Sequence, residues 1–129
     1  MPFIRIDLHE GKPAEELSVI SRSIQQAMVE TIDVLEDDYF QVITPHAPGE
    51  LLYDRHYMNI DRSGEQIFIQ ITMKEGRSLR KKRALFARIA ELLQANAGVR
   101  PQDVMVILTE NKQENWSFGH GIAQLAAEE

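Results

Sequence analysis

Proline stands directly after the initiator methionine, at Pro2. A small second residue normally lets the initiator be removed, so the dipeptide predicts a mature chain whose first nitrogen is the secondary amine of Pro2. An α-amine has a reference pKa of about 7.7–8.0, and modest desolvation or a nearby cation brings it to neutrality as a base. A base held at the end of a rigid strand can move a proton. Proline is also tolerated at the first residue of a strand for structural reasons alone, so the dipeptide carries little weight by itself.

Three further groups can do chemistry. Lys74, Arg77, Arg80, Lys81, Lys82 and Arg83 crowd the start of a predicted helix, with Glu75 alone opposing them. Each cation there opposes the helix dipole by about 0.3–1 kcal/mol. A bound anion that neutralises Lys74 and Arg77 would use the helix N-terminus, and the arginine fork suits a carboxylate. A solvated face paired with acids elsewhere accounts equally for Arg80 to Arg83. Asp38 is either a turn carboxylate or a second acid/base or water-orienting group. Trp116 and Phe118 are either tail packing or the wall of a site.

Other chemistries are absent from the pattern. His9, His46, His56 and His120 lack metal-site spacing. There is no phosphate loop and no nucleophile elbow, so neither cofactor nor metal is expected. The chain has no cysteine, which removes thiol chemistry and disulfides. A net charge of −6 disfavours general nucleic-acid binding. The start lacks a signal peptide's apolar segment and no run approaches the roughly 20 residues of a membrane span. A cytoplasmic protein is expected.

Phe3 to Leu8 alternates, with Ile4, Ile6 and Leu8 on one side, and reads as a half-buried strand. The turn Glu10-Gly11-Lys12-Pro13 leads into a helix from about Pro13 to Val34, with Glu15 and Glu16 at its positive end. Asp37-Asp38 lies in a loop, and Tyr39 to Thr44 is a second strand. Pro45 to Gly64 has no period and reads as a long excursion with short strand pieces near Leu51-Leu52 and Met58-Ile60. Gln66 to Met73 is a third strand, Ser78 to Asn96 a helix closed by Gly98, and Val104 to Thr109 a fourth strand. The tail from Glu110 to Glu129 ends in an Ala/Leu segment read as helical.

The two halves repeat. A shift of 65 positions places Ile4 on Ile69, Ile6 on Ile71, Glu10-Gly11-Lys12 on Glu75-Gly76-Arg77, Ile24 on Ile89, Asp38 on Asp103 and Thr44 on Thr109. With 129 residues the expectation is a single domain, residues 1–129, with units of about 2–45 and 66–110. Each unit is strand–helix–strand, so its two strands run parallel. The fold class is α+β: a tandem β-α-β repeat forming a four-stranded mixed sheet with two helices on one face. The other face carries Phe68, Gln70 and Thr72, a set too mixed for open solvent, so the sheet is expected to self-associate. Pro2 falls on Ile67 under the repeat, so the first unit alone offers a chain end where the second is still mid-strand.

Taken together the chain resembles the tautomerase superfamily, and within it the branch containing malonate semialdehyde decarboxylase. The resemblance rests on Pro2-Phe3-Ile4-Arg5-Ile6-Asp7-Leu8 with Glu10-Gly11, Asp38-Tyr39-Phe40-Gln41, His46-Ala47-Pro48-Gly49-Glu50, Asp61-Arg62-Ser63, Gly76-Arg77-Ser78, and Glu110-Asn111 leading to Trp116-Ser117-Phe118-Gly119. It implies an amino-terminal proline catalyst at Pro2, a homotrimer, and a small carboxylate-bearing substrate held by Arg77. It further implies that Asp38 positions a carbonyl or a water, and that Trp116 and Phe118 wall the pocket. One departure is Lys74, which stands where that decarboxylase carries the first of two arginines.

Three functions remain open. A tautomerase uses Pro2 as base and acid on a small 2-oxo or β-oxo acid. A decarboxylase or hydratase uses it as a cationic acid, the opposite protonation state. A non-enzymatic trimeric module binds a small anion and has no need of the amine.

Overall fold

The computed structural model describes residues 1–127; residues 128 and 129 of the expected tail helix lie outside the described residues. The elements are β1 (Pro2–His9), α1 (Ala14–Ile32), β2 (Gln41–His46), β3 (Ile67–Lys74), α2 (Leu79–Ala97) and β4 (Val104–Asn111). The sheet order is β2-β1-β3-β4. β1 runs parallel to β2 and antiparallel to β3, while β3 runs parallel to β4.

The repeat holds in detail. Ile4 lies opposite Gln41 in the first unit, and Ile69 opposite Val106 in the second. Glu10 N donates to His46 O at 2.8 Å, and Glu75 N donates to Asn111 O at 2.7 Å. Each strand–helix turn needs a left-handed residue, supplied by Gly11 at φ 116° and Gly76 at φ 115°. Both helices span nineteen residues. They stop in the same conformation, at Asp33 with φ 61° and at Gly98 with φ 66°.

Alternation fixes the two faces of the sheet. Ile4, Ile6 and Leu8 of β1 and Ile67, Ile69, Ile71 and Met73 of β3 are fully buried against both helices. Each such side chain stabilises the fold by about 1.5–3 kcal/mol relative to exposure. The opposite face is open, with Val42, Met105 and Ile107 among its exposed apolar residues.

The structure corrects three expectations. No strand forms at Leu51-Leu52 or Met58-Ile60. Tyr57–Asn59 is instead a 3-10 turn, because Met58 and Asn59 both have left-handed φ, 63° and 56°, which no strand accommodates. The described part of the Ala/Leu tail makes isolated turns, too short a segment to nucleate a helix. β2 begins at Gln41 rather than Tyr39, and β4 runs on through Glu110 and Asn111. Among the described residues no helix is long and apolar enough to cross a membrane.

Candidate active site

The topology gathers the candidate residues at one end of the sheet. β1 starts there with Pro2, opposite Met73 near the end of β3. Because β4 runs parallel to β3, it ends there too, with Asn111 opposite Lys74. α1 ends and α2 begins at this end, since each reverses the direction of the strand beside it in the chain. Asp38, just before β2, completes the set. Residues far apart in sequence thus meet because the second unit is inverted against the first.

The charged side of this end is closely arranged. The amino group of Met1 lies 2.9 Å from Asp38 Oδ2, with both side chains largely buried. Asp38 Oδ1 is buried and has no hydrogen-bond partner. Arg77 is held by two backbone carbonyls: Nε donates to Ile32 O at 3.2 Å and Nη1 to Lys74 O at 3.3 Å. Its remaining N–H groups are free to meet a ligand end-on. Burial lowers the Arg77 pKa from the ordinary arginine value, while the carboxylates of Asp33, Glu110 and Asp38 oppose that shift. Lys74 and Arg77 line a cavity of ≈ 380 Å³ together with Ile32, Asp33, Glu75, Gly76 and Lys81.

The basic cluster divides. Lys81 pairs with Asp33 and Lys82 with Glu110, each at 2.6 Å. Among the described residues Lys74, Arg77, Arg80 and Arg83 have no carboxylate at ion-pair distance; of these Lys74 and Arg77 line the cavity, which makes them the cations placed to meet an anion there.

The aromatic side is built by the tail. Trp116 Nε1 donates to Asn111 Oδ1 at 2.6 Å, at the end of edge strand β4. Trp116 stacks on Phe118 with ring centroids 5.7 Å apart, and Phe118 meets Phe40 at 5.8 Å. Phe40 sits at the opposite edge, where its carbonyl accepts from Ile4 N at 3.1 Å. Strands lie about 4.8 Å apart, so the tail spans the sheet's end from β4 to β2. The start of β1 and the end of β3, with Pro2 and Lys74, lie between those edges. Pro2 itself is buried.

Known proteins place this arrangement. A family model described as "Tautomerase enzyme" matches residues 38–119, and another with the same description matches residues 2–54. The chain belongs to the tautomerase family.

Its relatives agree along their whole length. The chain is 43% identical to the probable tautomerase YusQ of Bacillus subtilis (strain 168), over 97% of this chain and 98% of that one. A malonate semialdehyde decarboxylase, solved in forms that relate structure to decarboxylase and hydratase activities, superposes with TM-score 0.90 at 27% identity, covering 95% of each chain. Another malonate semialdehyde decarboxylase, inhibited by 3-bromopropiolate, superposes with TM-score 0.89 at 34% identity, covering 95% of this chain and 92% of that one.

Within this tautomerase fold, then, Pro2, Asp38, Lys74, Arg77, Trp116 and Phe118 all belong to one end. Sequence reasoning did not single out Phe40 or Asn111. Phe40 carried a signal, a large aromatic two residues after Asp38 with no place in the alternation of β2. Asn111 carried none, because its role depends on where the tail turns. Among the described residues no group of three His, Cys, Asp or Glu side chains is placed to hold a metal ion.

Proposed function

We propose that this chain is a tautomerase-type enzyme that uses the amino-terminal amine of Pro2, exposed by loss of Met1, on a small 2-oxo or β-oxo carboxylic acid. The observation that carries the reading is that the start of β1, where Pro2 is buried and the Met1 amino group lies 2.9 Å from Asp38 Oδ2, sits at the end of the sheet that also holds Arg77. A cationic amine in this place has an anionic partner, and the free Asp38 oxygen is an acceptor for a substrate group or a water.

The chemistry follows in balanced steps. Arg77, with Lys74 beside it, binds the substrate carboxylate through charge-assisted hydrogen bonds. The neutral Pro2 nitrogen takes the proton from the carbon next to the keto group, and the electron pair moves onto the carbonyl oxygen. The prolinium then returns a proton to that oxygen, giving the enol; ketonisation is the reverse. Trp116 and Phe118 exclude water, which strengthens each electrostatic interaction inside. General acid–base catalysis by one such group contributes about 10²–10⁴-fold.

A decarboxylase or hydratase reading is favoured by a specific observation. Asp38 lies 2.9 Å from the Met1 amino group, so a carboxylate stands at the chain start as a hydrogen-bond acceptor for a protonated amine. The solved decarboxylases that resemble this chain support the same alternative. Pro2 would then polarise a β-carbonyl as an acid. We further propose a homotrimer assembled through the open sheet face, supported by the exposed Val42, Met105 and Ile107. Light scattering checks the mass.

The test compares protein whose Met1 loss is confirmed by intact mass with a form that keeps one residue ahead of Pro2. Phenylenolpyruvate ketonisation and malonate semialdehyde decarboxylation are assayed on both. Turnover confined to the processed form supports the amine; equal turnover in both forms overturns it. Which substrate responds separates base from acid.

A further inference from the structure

The segment that carries Asp38, residues 33–40, has no regular structure. Its backbone is tied by few bonds of its own, such as Asp38 N to Leu35 O at 3.1 Å. Side chains of α1 do the rest. Gln25 is 94% buried, and its Nε2 donates to Asp38 O at 3.0 Å and Leu35 O at 3.4 Å. On the other side of Asp38, Ser21 Oγ bonds the Tyr39 hydroxyl and donates to Gln41 Oε1 at 2.7 Å, while Gln41 Nε2 donates to Ser21 O at 3.2 Å. Four polar side chains thus bracket one aspartate.

The internal repeat supplies the control. A shift of 65 positions carries Ser21, Gln25, Tyr39 and Gln41 onto Phe86, Ala90, Val104 and Val106. The second unit has apolar side chains at the same places, three of them partly buried and Phe86 exposed. The polar set is therefore not a requirement of the fold. Gln25 also leaves Oε1 buried without a partner, a destabilising feature that costs about 1–3 kcal/mol. Packing alone favours the alanine that the second unit has. Features that break a local rule are expected where function needs them.

We propose that Gln25, with Ser21, Tyr39 and Gln41, is a clamp of positioning residues that holds Asp38 at the start of β1, beside the place the Pro2 amine takes once Met1 is lost. The inference rests on the reading that Pro2 is the acting amine. The clamp works through the carboxylate's field. Asp38 close to the amine favours its cationic form, so a slackened clamp lowers the amine's pKa. The other charged groups around this end are Arg77 and Lys74 at the β3–α2 turn, Asp33 after α1, Glu110 on β4, and Lys81 and Lys82, which hold those two acids. Facing the clamp itself are Arg22 of α1 and Glu36, which line one cavity with Gln25 and Tyr39.

The experiment titrates the amine directly by NMR in processed protein labelled with ¹⁵N-proline, beside activity and thermal midpoints. Gln25→Leu removes the amide, and Tyr39→Phe breaks the Ser21 link while keeping the ring. Both variants are expected to lower the amine's pKa, by less than Asp38→Asn does, and kcat/KM falls about tenfold for Gln25→Leu, as for a modest misplacement of a catalytic group. In an Asp38→Asn background, Gln25→Leu produces no further pKa shift. An unchanged amine pKa in both variants, with altered thermal midpoints only, overturns the clamp and leaves packing residues. Should Gln25→Leu fail to fold, Tyr39→Phe decides alone. Activity retained by Pro2→Ala would instead sink the reading of Pro2 while leaving the titration result to judge the clamp.

Discussion

The two ends of the sheet are copies of one arrangement put to different uses. Each unit ends its helix with a left-handed residue and carries an aspartate five residues later, Asp38 or Asp103. Asp103 is only 1% exposed and fully satisfied: Ser63 N donates to Oδ1 at 2.7 Å and Ser63 Oγ to Oδ2 at 2.5 Å. Ser63 comes from the excursion that precedes β3. Asp38 instead meets the Met1 amino group and, among the described residues, keeps one oxygen without a partner. Lys12, the counterpart of Arg77, lies 3.6 Å from Glu65. Ile67, the counterpart of Pro2, is buried mid-sheet.

The segments that cover the two ends differ in the same sense. The excursion over the Asp103 end is bound to itself. Tyr53 OH donates to Ser63 O at 2.6 Å, and Arg62 Nη1 donates to Tyr57 O at 2.8 Å. The tail over the Asp38 end is tied at its edges, through Asn111 and Phe40, and presents rings between them. Among the described residues the Asp103 end satisfies its aspartate and leaves the neutral amide oxygen of Gln66 buried without a partner, whereas the Asp38 end leaves a carboxylate oxygen unpaired and two cations without a carboxylate. Unsatisfied groups are what a substrate can use.

The largest break in this comparison comes from the cations. Arg77→Ala is expected to raise KM by about a hundredfold, the loss of a charge-assisted pair of bonds. Lys12→Ala is expected to leave steady-state kinetics unchanged. Arg77→Lys should fall between parent and alanine, since it keeps the charge and loses the fork.

The aspartates should part next. Asp103→Asn turns one acceptor against the Ser63 donors and is expected to lower unfolding stability by about 1–3 kcal/mol in denaturant titrations, with kinetics of the folded protein intact. Asp38→Asn is expected to do the reverse, lowering kcat by about tenfold or more through a misoriented substrate with an unchanged denaturation midpoint. The smallest effect belongs to the aromatic wall. Asn111→Leu releases the Trp116 indole, a loss of about 1 kcal/mol, and should raise KM about fivefold. Its counterpart His46→Leu breaks the 2.6 Å contact with Asp7 and should leave KM alone.

Much of this architecture was legible in the sequence, because the repeat is ungapped. Ile4 on Ile69 and Glu10-Gly11 on Glu75-Gly76 fixed two equal units, and alternation gave the buried faces. Element ends came within about two residues, the usual reach of such reasoning. The excursion was misread at Met58, where hydrophobic residues suggested a strand and a left-handed backbone excluded one. Pro2 stood out against the repeat, Arg77 and Lys74 as cations at a helix start, Asp38 as a loop carboxylate that the repeat matches with Asp103, and Trp116 with Phe118 as aromatics of the tail. Asn111 and Gln25 were not singled out, since each matters through a partner brought near by tertiary structure. For Gln25 the contrast with Ala90 was present in the sequence, and its meaning depended on knowing which carbonyl the amide reaches.

The most direct test of the account is the rate of phenylenolpyruvate ketonisation by processed protein, with Pro2→Ala measured beside it. The account predicts turnover in the parent and a loss of about 10²–10⁴-fold in the variant, with sheet and stability preserved. Equal rates in the two proteins would contradict it, because the end of the sheet would then turn over substrate without the secondary amine of proline that distinguishes it from its copy.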